Sequence, residues 1–293
     1  MNLFINKISQ KKNQKGFTLV EIMISMALGL AIAGAVIQIM VSNSVTEKLN
    51  RAMASTQESG RFIINRLRGE ILMVGLYDQM NPKLNISVDV VDENNFVRTH
   101  PVILPNEFAV RTSLGAVQGN SGGNDTLVVS LQSNMDCRGY ALGYLNEEEF
   151  YVVNEYFVAD NKLKCRGFDG RYLRGQKVAD GHNSHRSITI LDDVTNFQVT
   201  YGITDLASTA GSAIPTRFIT ADGIQLAIDN GKTIVALRIA LVVRADSDIT
   251  VKTKPFFRLL NEANYVPSDN GLYKSFETTI TLRNMKNFVR SNA

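Results

Sequence analysis

Residues 15–41 read KGFTLVEIMISMALGLAIAGAVIQIMV, and the rest of the chain is interpreted outward from them. The apolar run that starts at Phe17 and ends at Val41 is broken by one charge, Glu21, which leaves twenty uncharged residues at 22–41. About twenty apolar residues at 1.5 Å rise span a hydrocarbon core of ~30 Å, so the segment is long enough to cross a membrane as one helix. Ahead of it, residues 1–16 hold no acid and carry Lys7, Lys11, Lys12 and Lys15. Positive charge beside a first span is held on the cytoplasmic side, which sends the remainder of the chain outward. A secretory signal also begins basic and turns apolar, but its apolar region is typically ~7–15 residues and ends at a small-residue cleavage site. This run is longer and has no such break before Ser42.

Glu21 is the anomaly in that run. An ionised carboxylate on an isolated span costs several kcal/mol in lipid and calls for a partner. A cut after Gly16 would give Phe17 a free α-amino group, four residues from the carboxylate, and a mutual charge pair could then form.

The hexapeptide Gly16-Phe17-Thr18-Leu19-Val20-Glu21 resembles, without departure, the class III signal of type IV pilins and pseudopilins. That resemblance implies cleavage between Gly16 and Phe17 by a membrane aspartyl prepilin peptidase on the cytoplasmic face, followed by N-methylation of Phe17. It also implies that Glu21 guides the packing of one subunit's helix against the next in a filament.

Removing 16 residues from 293 leaves 277, enough for the anchor and one sizeable globular domain. The net charge of +3 is misleading, because the four leader lysines supply +4 and the remainder sums to −1. This balance excludes a general nucleic-acid binder, and 8% aromatics with no Trp give little support to a base-stacking platform.

Beyond the span, Leu49, Met53, Thr56, Gly60, Ile63, Leu67, Ile71 and Val74 recur at steps of three or four, with Ala52 and Ile64 beside them and no proline before Pro82. This amphipathic face predicts a helix from Phe17 to about Val74, roughly 58 residues or ~87 Å at 1.5 Å per residue. Gly29, Gly34 and Gly60 each weaken a helix by roughly 1 kcal/mol relative to Ala, and a kink or local melting is expected there. Glycines in a membrane segment also let helices approach closely. The expected division is a leader at 1–16, a transmembrane or filament-core helix at 17–41, its amphipathic continuation at 42–75 and an exported β-rich domain at 76–293.

The stretch from Ser59-Gly60-Arg61-Phe62 to Gly75-Leu76-Tyr77 resembles the end of the long helix in PilW-type minor pilins, departing only where Leu76 separates Gly75 from Tyr77. Arg61, Arg66 and Arg68 within it read either as a solvated face or as a subunit contact. After Tyr77, residues 126–131, 150–158, 187–191, 197–201, 233–243 and 276–282 are rich in β-branched and aromatic residues and predict strands. Turn-forming runs at 119–125, 160–162, 169–170 and 269–271 separate them. The fold class is therefore α+β, type IV pilin-like: a long N-terminal helix packed on an antiparallel sheet. FQVTYG at 197–202, IVALRIALVVR at 234–244, DNGL at 269–272 and FETTITLRN at 276–284 resemble, in that order, the later blocks of PilW-type minor pilins.

Cys137 and Cys165 both lie on the exported side, where an even count favours a disulfide, here closing a loop of about 29 residues worth roughly 3 kcal/mol in chain entropy. His182 and His185 lie in a Gly/Asn/Ser loop with no cysteine nearby and read as solvated rather than as metal ligands. Residues 119–125 are glycine-rich but lack the Lys-Ser/Thr ending of a phosphate loop, and read as a flexible hairpin. Oxygen donors at 89–95 would admit calcium, a property of related pseudopilins, although their spacing matches no EF-hand. Neither a metal site nor a cofactor is otherwise expected. No catalytic motif occurs, and the chain does not read as an enzyme.

The resemblance implies a minor pilin that takes part in priming type IV pilus assembly at the filament tip, supporting twitching motility, adhesion or DNA uptake. The alternative is a minor pseudopilin of a type II secretion system. Arg238, Arg244 and the 269–271 turn favour the pilus. The implied partners are other minor pilins, the major pilin, the prepilin peptidase, the inner-membrane assembly platform and, before assembly, membrane lipid. The implied location is the bacterial inner membrane with a periplasmic C-terminal domain, then the pilus at the cell surface.

Overall fold

The computed structural model describes residues 16–178, 185–205, 214–246, 249–260 and 264–285. Its contacts divide the chain into two units, Met1–Arg51 and Ala52–Ala293. Helix α1 (Leu19–Ile71) contributes to both.

Within the second unit, α1 buries Ala52, Thr56, Gly60, Ile63, Leu67 and Ile71, the stripe that the three-and-four spacing predicts. Thr56 hides its hydroxyl by donating to the Ala52 carbonyl at 2.8 Å. The helix is unbroken through Gly29, Gly34 and Gly60, so the melting expected there does not occur. At Gly60 the reason is packing: the Phe276 ring occupies the space a Cβ would need. Gly→Ala in a helix interior ordinarily stabilises by about 1 kcal/mol. Overpacking costs about 1–3 kcal/mol, so Gly60→Ala is expected to lower the unfolding midpoint instead, and adding Phe276→Leu should recover the loss. A midpoint that rises in Gly60→Ala alone would mean the ring does not hold the helix.

Past Ile71 the chain turns. Gly75 takes φ +71°, a conformation that favours glycine, and a Cβ there would also push on the Met285 sulfur at 2.7 Å. Its N–H donates to the Ser130 carbonyl at 2.9 Å, tying the helix exit to a strand.

That strand is β1 (Leu127–Ser133), which with β2 (Phe150–Ala159), β3 (Lys162–Asp169) and β4 (Ile188–Leu191) forms an antiparallel sheet in the order β1-β2-β3-β4. A second antiparallel sheet contains β5 (Val194–Asp205), β6 (Arg217–Ile219), β7 (Lys232–Arg244) and β8 (Tyr273–Thr281), in the order β6-β5-β7-β8. The one sheet expected from sequence is thus two of four strands each. Alternation within a strand reports which face is buried, not which sheet the strand joins. One core unites them: Ile63, Leu67 and Ile71 of α1 pack with Val129, Tyr156 and Cys165 of the first sheet and with Phe197, Leu237 and Ile239 of the second. β7 is covered on both faces, as its nearly continuous apolar run requires.

Residues 119–125 are not a flexible hairpin. A short 3-10 turn at Asn120–Gly122 leads into Asp125, whose carboxylate accepts from Gly119 N and Val199 N at 2.7 Å each. Asn124 accepts from Phe197 N at 2.9 Å, so this loop clasps β5 just before the chain enters β1. The hydrogen bonds that a loop of this composition makes are long-range and leave no local signature.

The other face of the first sheet carries α2 (Val90–Thr99), where Val97 packs with Phe108, Val128, Tyr151 and Val153. Next to this layer, burial raises the Glu107 carboxyl from 4.5 to about 7, only partly offset by a backbone hydrogen bond from Leu104. Its Oε2 finds no partner among the described residues. The folded state therefore holds a proton that the unfolded chain releases, so the contribution of Glu107 to stability is greatest below about pH 4.5 and is lost as pH climbs through about 7. Glu107→Gln should raise stability by about 1–3 kcal/mol at pH 8 and change little at pH 4. Equal effects at the two pH values in thermal melts would contradict that assignment.

Candidate assembly interface

The first unit presents the apolar surface that the sequence predicts. Residues 16–48 are exposed throughout, including Phe17, Leu19, Ile22, Leu30, Ile37 and Val41. Among the described residues α1 is the helix long and apolar enough to cross a membrane. Soluble proteins rarely expose contiguous apolar patches beyond a few hundred Å², and larger ones mark membrane or protein contact.

Gly16 and Phe17 precede the first helical residue and are exposed, so the peptide bond between them is sterically open. Lys7, Lys11, Lys12 and Lys15 lie outside the described residues. Thr18 stands one residue ahead of α1 and its Oγ1 accepts from Glu21 N at 3.3 Å. The Thr-x-x-Glu spacing is that of a capping box, and an acid in the first turn complements the positive end of the helix dipole. Glu21 thus has a use within its own helix that the charge-pair argument overlooks. Ser25 also returns its hydroxyl to the Glu21 carbonyl, at 2.7 Å.

Further along, the arginines divide: Arg61 and Arg68 lie on the exposed face, as the solvated reading has it, and Arg66 is half-buried. Arg66 donates to Glu70 at 3.2 Å and to the Cys137 carbonyl at 3.1 Å, and Arg68 reaches the Thr278 hydroxyl at 3.4 Å. These two fasten the helix to its own domain, while Arg61 is exposed. Tyr156 donates its phenol to Glu70 and completes the fastening. Cys137 and Cys165 are joined in a disulfide, Cα atoms 6.4 Å apart, beside Leu67 and Ile71 in the same core.

Other sequence-predicted sites are relocated. The 89–95 stretch considered for calcium is the start of α2: Asp89 caps it, accepting from Val91 N at 2.9 Å and Asp92 N at 3.2 Å. Asp92 pairs with Arg174 at 2.7 Å and Glu93 with Arg171 at 2.8 Å, so its acids are engaged within the fold. His185 is buried rather than solvated, Nδ1 3.0 Å from the Gly167 carbonyl and its ring 4.6 Å from Phe168. His182 lies outside the described residues.

The Glu93–Arg171 pair was not found by sequence reasoning. Asp89, followed three and four residues later by Asp92 and Glu93, carries the N-terminal acid signature of a helix, which would have placed Glu93 on a helix but not its partner 78 residues away. Toward the C-terminus, Arg244 pairs with Asp269 at 3.3 Å, and Asp269 accepts from Gly271 N at 2.8 Å and from the Tyr273 phenol at 2.7 Å. The 269–271 turn is thereby pinned to the end of β7.

An exposed apolar helix with an acid in its first turn, whose C-terminal half docks on antiparallel sheets, defines a type IV pilin-like protein. Two family profiles match the chain: one described as a prokaryotic N-terminal methylation motif over residues 11–37, and one described as type IV pilus-assembly protein W over residues 149–284. The chain is thus similar to methylated prepilins at its N-terminus and to PilW-type pilus-assembly proteins over its C-terminal residues 149–284. Among solved structures, a type IV-like pilin from Thermus thermophilus is 12% identical, covering 58% of this chain and 83% of its own, with a TM-score of 0.32, too low to argue the fold. No curated protein matches.

Proposed function

We propose that the chain is a minor pilin that enters a type IV filament through the exposed helix at residues 17–41 and takes part in priming assembly at the tip. The observation that carries this reading is the long apolar surface at residues 17–41 with one carboxylate, Glu21, four residues past Phe17. Before assembly that surface lies in the inner membrane with the β-rich domain on the periplasmic side, and in the filament it lies against other pilin helices. A structural role of this kind needs no catalytic centre, and motility, adhesion or DNA uptake follows from the filament rather than from chemistry in this chain. After cleavage at Gly16, the Phe17 amine of one subunit is the cation that Glu21 of its neighbour, or its own, can pair with.

Glu21→Ala is expected to leave processing intact, with a mature mass lacking residues 1–16, and to reduce the chain recovered in sheared fibres. Incorporation equal to the unaltered chain would remove the registry role of Glu21. Replacing Gly16 should leave a precursor that retains the leader, read directly from intact mass.

A further inference from the structure

The four sheet edges are unequally protected. On β1 the outward backbone is occupied by the chain itself: Gly75 N donates to Ser130 O, Gln132 N to Leu76 O, Ser130 N to Pro101 O and Ile103 N to Val128 O. β4 and β6 are only four and three residues long. β8, by contrast, is a nine-residue edge strand. Its register with β7, together with the flanking bonds from Leu282 N to Val235 O and from Ala245 N to Leu272 O, shows which of its residues face β7. Residues 274, 276, 278 and 280 turn their N–H and C=O toward β7. Tyr273, Ser275, Glu277, Thr279 and Thr281 turn theirs outward, where no backbone group among the described residues meets them. Long edge strands are normally covered, shortened or bulged, because they template pairing with another chain.

We propose that the outward edge of β8 receives an extended segment of a different pilin-like subunit, which adds a strand to the second sheet. A second copy of this chain fits poorly. The two-fold antiparallel register that overlaps all of β8 puts Glu277 directly opposite its own copy, and like charges in that position are destabilising. The other edges of a second copy, among the described residues, are covered or short. That the partner is pilin-like rests on the filament reading above; that the edge is a docking strand does not. The chemistry of the incoming strand follows from the two faces of β8. Phe276 and Ile280 pack into the core on the helix side, whereas Ser275, Glu277, Thr279 and Thr281 are exposed on the other. The partner strand therefore alternates, apolar toward α1 and polar away from it.

The test uses the full-length chain in its native envelope. A photoreactive residue at Ser275 or Thr279 is expected to cross-link to another pilin-like subunit, whether or not fibres have formed. Glu277→Pro removes an N–H that points away from β7, a substitution edge strands tolerate, so the melting temperature should stay near that of the unaltered chain. The cross-link should fall by about tenfold, since losing a hydrogen bond of ordinary strength and the local register is worth about that factor. Amide exchange at Ser275, Glu277 and Thr279 should be fast in the detergent-solubilised chain and slowed in the complex. Protection already present in the solubilised chain, adducts formed only with a second copy, or a Glu277→Pro chain that folds and still cross-links fully would overturn the proposal. If the unaltered chain never enters fibres yet cross-links through β8, the filament reading fails and the edge assignment stands.

Discussion

Glu93→Ala is expected to lower the stability of the β-rich domain by about 3–5 kcal/mol, the range for removing one partner of a buried ion pair. Both side chains are fully buried. Arg171 Nε lies 2.9 and 3.0 Å from the two Glu93 oxygens, and Nη2 lies 2.8 Å from Oε2. The remaining guanidinium donors reach Asn85, its side-chain oxygen and its carbonyl both at 2.7 Å. Tyr77 donates to Glu93 at 2.7 Å, and burial, reinforced by the Glu93 charge, pushes its phenol above the ordinary range. Truncating Glu93 leaves a buried guanidinium with the neutral oxygens of Asn85 and no counter-charge in direct contact. Because the pair is dry, added salt should change the loss little. Replacing both residues together, Glu93→Leu with Arg171→Met, should recover most of the stability, since buried pairs are often no better than well-packed apolar substitutes. Urea unfolding of the three proteins checks this, and a single Glu93→Ala variant within 1 kcal/mol of the unaltered chain would contradict the burial argument.

Breaking the Cys137–Cys165 bridge is the second large expected effect. With its ends 28 apart in sequence it closes a loop worth about 3 kcal/mol in the chain-entropy account. The bond also holds the seat of the helix: the Cys137 carbonyl accepts from Arg66, and its N–H donates to Asn154 at 3.1 Å. Cys137→Ala with Cys165→Ala should therefore lower the unfolding midpoint and also speed amide exchange in the last three turns of α1. If the midpoint drops and exchange in the helix is unchanged, the bridge stabilises the sheet alone. Two free thiols in protein isolated from the native envelope without reductant would remove it altogether.

Much of this architecture is legible in a one-dimensional pattern because the physics behind it is local. The membrane-length run, the docking stripe from Ala52 to Ile71 and most strands are each set by the periodicity of contiguous residues. The first-turn acid is equally direct. What escaped depends on contacts between residues far apart in the chain. Arg66 looks like a solvated charge until the Cys137 carbonyl is placed beside it. Residues 89–95 look like an oxygen-rich loop until Asp89 is seen capping a helix and Glu93 meeting Arg171. Gly60 looks like a weak point in a helix until Phe276 fills its notch.

From the chain alone came the pilin-like plan: an apolar helix with Glu21 near its start, a junction at Gly16–Phe17, and a β-rich domain behind it. Those properties follow from hydropathy, charge and spacing, which need no knowledge of what lies across the core. Tertiary structure alone decided that the strands form two sheets, that Arg171 is neutralised in the interior, and that the outward edge of β8, unlike that of β1, meets no backbone group among the described residues. Strand order and charge burial are pairings between distant residues, and no local pattern encodes which partner each residue will meet.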